Sequence, residues 1–171
     1  CGRIPELQAK GYGYFFGYEE SIGAAPGEAV RDKDGVCCAM LMAEMAAYWR
    51  KKGVSLLEAL EALYEKYGHF SEAQVSIYHE GAEGAALIGR IMDVFRNGKP
   101  EQFGGLKVVK VTDYLGGVGD VPPANVLRYD LEGGAWFAVR PSGTEPKIKM
   151  YYYAVAKDGK QSRATVEKVK N

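Results

Sequence analysis

Eight consecutive residues, Arg140-Pro141-Ser142-Gly143-Thr144-Glu145-Pro146-Lys147, bring together a guanidinium, an ammonium, two hydroxyls and a glycine. That set suits an oxyanion of the phosphate type. A guanidinium donates two parallel N–H bonds to a pair of phosphate oxygens, while hydroxyls and backbone N–H groups fill the remaining directions. The N–H groups of Ser142, Gly143 and Thr144 can converge if the glycine takes a φ that other residues avoid. The same residue types dominate ordinary polar β-turns, so the pattern alone leaves both a phosphate clamp and a simple turn open. It is not a nucleotide-binding P-loop, because the G-x-x-x-x-G-K-[ST] spacing is absent and no helix follows.

Two other stretches carry polar chemistry. Glu19-Glu20-Ser21 sets two carboxylates and a hydroxyl at the end of an aromatic run, where they can bond neighbouring sugar hydroxyls. The alternative there is a solvated acidic loop. Paired carboxylates also serve glycosidases, but adjacent strand residues point to opposite faces, so these two need not converge. Arg31-Asp32-Lys33-Asp34-Gly35 precedes an apolar run in which Asp34 is placed to cap a helix, leaving Lys33 to face a ligand. His69 and His79 have no Cys, His or carboxylate partner at ligand spacing, so they read as structural or surface residues and no metal site is visible. Tyr151, Tyr152 and Tyr153 alternate faces on a strand, which argues against one stacking platform for bases.

The elements that must position these groups follow from periodicity. Tyr12 to Tyr18 is aromatic and strand-like, and a polar loop follows from Glu19 to Gly35. Val36 to about Lys52 is apolar on most faces and is expected to be a largely buried helix. Ser55 opens a second helix with Glu58 completing a capping box, and Leu56, Leu60, Leu63 and Tyr67 share one stripe before Gly68 ends it. Ala73 to Tyr78 reads as a short strand or a connector. A third helix is expected from about Glu83 to Arg96, with Leu87, Ile88, Ile91, Met92 and Phe95 on one face. Strands then follow at Leu106–Tyr114, Val126–Leu131, Ala135–Arg140 and Ile148–Ala156, with Gly133-Gly134 as a hairpin signal. Gly116 to Pro123 reads as a flexible surface loop, and Gln161 to Lys170 as the start of a helix. The resulting class is α+β: a helix-rich first part to about residue 72, then a small unit from about 73 to 171 with an antiparallel sheet and flanking helices.

Composition narrows the partners. The 171 residues carry 22 basic and 22 acidic side chains, so the formal net charge is zero. Broad affinity for nucleic acid or acidic membranes needs a basic surplus, so neither is expected as a partner. A local basic site for one phosphate remains allowed. Hydrophobic residues make up 47% of the chain, yet no apolar run approaches the length of a membrane span. Cys1, Cys37 and Cys38 form no even-numbered framework, which makes a reducing cytoplasm the expected compartment. Cys37 and Cys38 read as small core residues. The opening Cys1-Gly2-Arg3-Ile4-Pro5 reads as the interior of a longer protein.

Taken together, FGYEESIG at Phe16–Gly23, RDKDGV at Arg31–Val36 and RPSGTEPKIKMYY at Arg140–Tyr152 closely resemble the α-D-phosphohexomutase family, in its phosphoglucomutase/phosphomannomutase branch. The three motifs stand in the family's order and spacing, across essentially the whole chain. The resemblance implies a four-domain enzyme that interconverts hexose 1-phosphate and hexose 6-phosphate through a phosphoserine and a bisphosphate intermediate, glucose 1,6-bisphosphate. It implies Mg2+ on an Asp-rich loop of another domain. Residues 1 to about 72 would be the later part of the third domain. Residues from about 73 to 171 would be the fourth, a domain like that of the TATA-box-binding protein.

Residue by residue, the resemblance implies that Glu19 and Ser21 bind sugar hydroxyls and that Lys33 lies near a phosphate. Arg140, Ser142, Gly143 and Thr144 would clamp the non-reacting phosphate, helped by Lys147 or Lys149. The family's serine segment and D-G-D loop do not occur in this sequence. Its expected partners are therefore a hexose phosphate and the N-terminal domains of the same polypeptide, and the chain alone is expected to be inactive. Gly23 follows Ser21-Ile22 where some bacterial branches carry histidine, which favours glucose-type or broad specificity. A phosphopentomutase-type relative and a noncatalytic phosphosugar-binding module are the alternatives.

Overall fold

The computed structural model describes residues 3–19, 23–143 and 145–171. The chain divides into two compact units, Cys1–Ala62 and Leu63–Asn171.

The first unit begins with a short helix, α1 (Ile4–Ala9), which has a proline in its opening turn and buries Ile4. Proline is tolerated there because the first helical N–H groups have no intrahelical acceptor. Strand β1 (Phe16–Glu19) pairs antiparallel with β2 (Gly23–Pro26). The second of these falls inside the expected loop, because Gly-Ala-Ala-Pro has none of the branched or aromatic side chains that mark a strand. Helix α2 (Gly35–Lys51) starts as expected: the Asp34 carboxylate accepts the N–H bonds of Val36 at 3.0 Å and Cys37 at 3.1 Å.

The expected burial of α2 is wrong. None of its residues is buried, and Val36 and Met40 are 74% and 65% exposed. Within its unit the helix packs chiefly on the four-residue β2, which covers one side only. Cys37 and Cys38 are accordingly half-buried rather than core residues. The capping box that opens α3 (Leu56–Tyr67) is present, with Ser55 N–H donating to Glu58 at 2.7 Å and Glu58 N–H to Ser55 Oγ at 3.2 Å.

The second unit is built on a six-stranded antiparallel sheet in the order β3-β8-β7-β6-β5-β4. Its strands are β3 (His69–Tyr78), β4 (Gln102–Phe103), β5 (Leu106–Asp113), β6 (Leu127–Leu131), β7 (Trp136–Pro141) and β8 (Lys147–Ala156). Strand β3 is longer than expected, starting at His69, directly after Gly68. Gly133 and Gly134 join β6 to β7 with φ of 75° and 80°, a conformation glycine adopts without strain. Gly116–Pro123 is tied by its own hydrogen bonds, including the mutual pair of Val118 and Val121.

Helices α4 (Gly81–Gly98) and α5 (Gly159–Lys170) bury Ile88, Met92, Val166 and Val169 against one face of the sheet. That face contributes Leu127, Tyr129, Phe137, Val139, Ile148 and Tyr152. The arrangement confirms the α+β class and gives the sheet a dry face and an open one. Since side chains alternate along a strand, every residue next to a core position on β7 and β8 points to the open face.

Candidate functional site

That alternation decides where the residues of the candidate phosphate loop go. Val139 and Ile148 are wholly buried on the dry face, so Arg140 and Lys149 project from the other. The two are direct cross-strand partners. Two like charges opposite one another weaken a hairpin, and among the described residues neither has a carboxylate partner. The loop then closes on itself: Ser142 N–H donates to the Lys147 carbonyl at 2.8 Å, and Lys147 N–H to the Glu145 carbonyl at 2.8 Å. Ser142 and Lys147 continue the same alternation, so Arg140, Ser142, Lys147 and Lys149 share one face of the hairpin.

Two details differ from the sequence reading. Gly143 does not take a left-handed φ; what it supplies is open space, since a Cβ there would meet nothing within 4 Å. Lys147, in addition, is not free. Its ammonium lies 2.5 Å from the Glu145 carboxylate and 3.2 Å from the Tyr78 hydroxyl. The carboxylate first, and then the phenol, hold its pKa above the ordinary lysine value. Thr144 lies outside the described residues. Anchoring comes from outside the motif as well, because His79 N–H donates to the Pro146 carbonyl at 2.8 Å. Behind it, a Cβ on Gly84 would overlap the His79 carbonyl. The first turn of α4 is thus pressed against the residue that holds the loop.

The first unit gathers its own polar cleft, about 340 Å³, lined by Glu19, Lys33, Tyr14, Gly23, Arg31 and Asp32 among others. Lys33 Nζ stands 4.0 Å from Glu19 Oε2 and 3.5 Å from Asp32 Oδ1. The Lys33 backbone N–H, donating at 2.7 Å, and then the ammonium charge hold the Asp32 carboxyl below its usual range. The segment is fastened to the hairpin by Asp34 N–H, which donates to the Ala24 carbonyl at 2.9 Å. Glu19 and Lys33, fourteen positions apart in the sequence, are thereby brought to the same cleft. Ser21 and Glu20 lie outside the described residues.

Sequence reasoning missed Tyr14, Arg31, Asp32, Tyr78 and Glu145 as neighbours of these groups. Arg31, Asp32 and Glu145 lie inside the quoted motifs, where their neighbours in sequence carry the stronger signal. Tyr14 and Tyr78 carry no local signal, since the pairing of distant strands delivers them. Among the described residues no three His, Cys, Asp or Glu side chains cluster to hold a metal. None of the described helices is long and apolar enough to cross a membrane.

Two family profiles match the chain. Residues 50–170 match the profile described as "Phosphoglucomutase/phosphomannomutase, C-terminal domain", and residues 4–67 the one described as "Phosphoglucomutase/phosphomannomutase, alpha/beta/alpha domain III". A phosphoglucomutase of Staphylococcus epidermidis is 39% identical over 149 residues, covering 81% of this chain and 27% of the relative. A probable phosphomannomutase of Haemophilus influenzae is 32% identical over 151 residues, covering 88% of this chain and 30% of the relative. The solved open form of pp63/parafusin, a phosphoglucomutase from Paramecium, aligns with a TM-score of 0.61 at 18% identity. That alignment covers 87% of this chain and 27% of the other, and it shows a shared fold. The chain spans between a quarter and a third of the length of these relatives.

Proposed function

The chain belongs to the phosphoglucomutase/phosphomannomutase family, and on that footing we propose that it supplies substrate-binding elements to an enzyme interconverting hexose 1-phosphate and hexose 6-phosphate. In this reading residues 1 to about 72 form the later part of a third domain and the remainder a fourth. Glu19, Ser21 and Lys33 contact the sugar or its phosphate. Arg140, Ser142, Gly143 and Thr144, with Lys147 and Lys149, hold the phosphate that does not react.

The observation that carries this reading is the Arg140–Lys149 row, without a carboxylate partner among the described residues, beside a loop whose glycine leaves its backbone bare. A fold gains nothing from opposing two unpartnered cations, whereas a dianion bridging them removes the repulsion and gains charge-assisted hydrogen bonds. Phosphoryl transfer itself, through a phosphoserine and glucose 1,6-bisphosphate, needs a serine loop and Mg2+ that other segments provide. The described residues offer no ligand cluster for that ion.

Gly143→Ala tests the reading. Because φ is ordinary and the added methyl meets nothing, the fold should be unchanged or gain up to about 1 kcal/mol from a stiffer unfolded chain. Phosphate approaching that backbone should be blocked, weakening hexose 6-phosphate binding by about tenfold or more, ~1.4 kcal/mol. Unaltered affinity in a well-folded variant would remove the loop from the site.

A second expectation concerns Gly23. A Cβ there would fall 2.5 Å from Glu19 Oε1 and crowd the Lys33 side chain as well. Both are flexible and exposed, so Gly23→Ala should fold normally. It should part Glu19 from Lys33 and cost about 1 kcal/mol of sugar phosphate binding, the worth of one hydrogen bond. Calorimetric titration compares the two proteins, and equal affinities would leave the Glu19–Lys33 cleft without a role in the ligand site.

A further inference from the structure

Among the described residues Lys147 is the one cation of the candidate phosphate face with side-chain partners, and their accessibilities differ. Its side chain is 10% exposed, whereas that of Glu145 is 50% exposed. Covered on several sides, the lysine cannot swing into solvent, and a buried ammonium without a counter-charge is costly. Glu145 can turn outward into water at little cost. Tyr78 holds its hydroxyl 3.2 Å and its ring centroid 5.0 Å from Nζ. It sits on the paired strand β3, directly opposite Lys147 in register. An ammonium has three donors; among the described residues Glu145 and Tyr78 take two, and one remains.

Resting on the phosphate-loop reading above, we infer that Glu145 is an internal stand-in for the ligand: it neutralises Lys147 while the loop is empty and is displaced when a phosphate arrives. Tyr78 is the positioning residue that keeps the ammonium at the loop throughout. The exchange is one anion for another on the same cation, with no bond made or broken. Affinity for phosphate is thereby lower than the cations alone would give, since each binding event must first expel a carboxylate. That favours release of the ligand and discriminates against weakly charged anions that cannot compete with Glu145.

The test is titration of the 171-residue chain with inorganic phosphate, followed by amide and side-chain carboxyl NMR signals. Glu145→Gln should tighten binding about threefold, the scale of a partly exposed ion pair removed from competition. Tyr78→Phe should weaken it by a similar factor. Both effects should vanish in a Lys147→Met background, as coupling through that residue requires. A purely structural Glu145 predicts the opposite sign, so unchanged or weaker binding in Glu145→Gln overturns the inference.

If that variant folds poorly, the parent protein decides: the Glu145 carboxyl signal must shift as phosphate saturates the loop, and a static signal overturns it equally. The loop reading fails separately. If the Ser142 and Gly143 amides of the parent protein ignore phosphate, the loop binds none, and this inference falls with it.

Discussion

Arg140→Ala is expected to lower affinity for a hexose phosphate by about 10- to 150-fold while leaving the fold intact. The loss corresponds to ~1.5–3 kcal/mol, the range for hydrogen bonds to a charged group. Arg140 lies on the open face of the sheet, opposite Lys149 and among described residues without a carboxylate partner. Its removal takes no contact from the core. It also relieves a repulsion between facing cations, so the thermal transition should hold steady or rise slightly. This pairing of weaker binding with undiminished stability separates a ligand-binding arginine from a structural one. Calorimetric titration and thermal unfolding of the same two samples make the comparison. A fall in stability, or equal affinity, would contradict the assignment.

Phe137→Ala should have the largest effect on stability. Phe137 lies on β7 three residues before Arg140 and is 2% exposed. Its ring packs at centroid distances of 4.8 Å from Phe103, 5.2 Å from Tyr152, 5.6 Å from Phe95 and 5.9 Å from Tyr129. These neighbours come from two strands, an edge strand and α4, so no single shift can close the space left behind. Truncating such a ring costs about 3–5 kcal/mol, a large share of the ~5–15 kcal/mol that holds a domain together. The transition of the second unit should fall by at least about 10 °C. The loop should fail with it, because β7 and β8 are what align its two ends. A drop of only a few degrees in the β7 and β8 amide signals would show that the ring is not the keystone of this core.

The sequence was most legible where a short stretch determines its own structure. Asp34 caps α2 and Ser55 with Glu58 caps α3, because each satisfies N–H groups within three residues of itself. Gly133-Gly134 turns the chain because few other residues accept two successive positive φ values. Alternation on β7 and β8 foretold which residues would share a face. Legibility ended where distant chain had to be supplied. The apolar composition of α2 records a helix suited to being covered, and its unit covers only one side. Strand β2 owes its existence to its partner β1 rather than to its own residues.

The candidate site shows the same limit. Arg140, Ser142 and Lys147 stand out as candidates because they sit together in the sequence. Lys147 was nevertheless expected to be available to a ligand. Its capture by Glu145 and Tyr78 depends on β3 pairing with β8, a contact between residues 69 positions apart. For Gly143 the expected unusual φ is absent, and its place in the loop keeps a surface bare instead of permitting a bend.

The most direct test of the central claim is titration of the chain with glucose 6-phosphate while the backbone amides of Ser142 and Gly143 are observed by NMR. The account predicts saturable shifts at those two amides and at Lys147, lost in Arg140→Ala. Amides that stay still at ligand concentrations on the order of millimolar, an affinity of only ~4 kcal/mol, would contradict it.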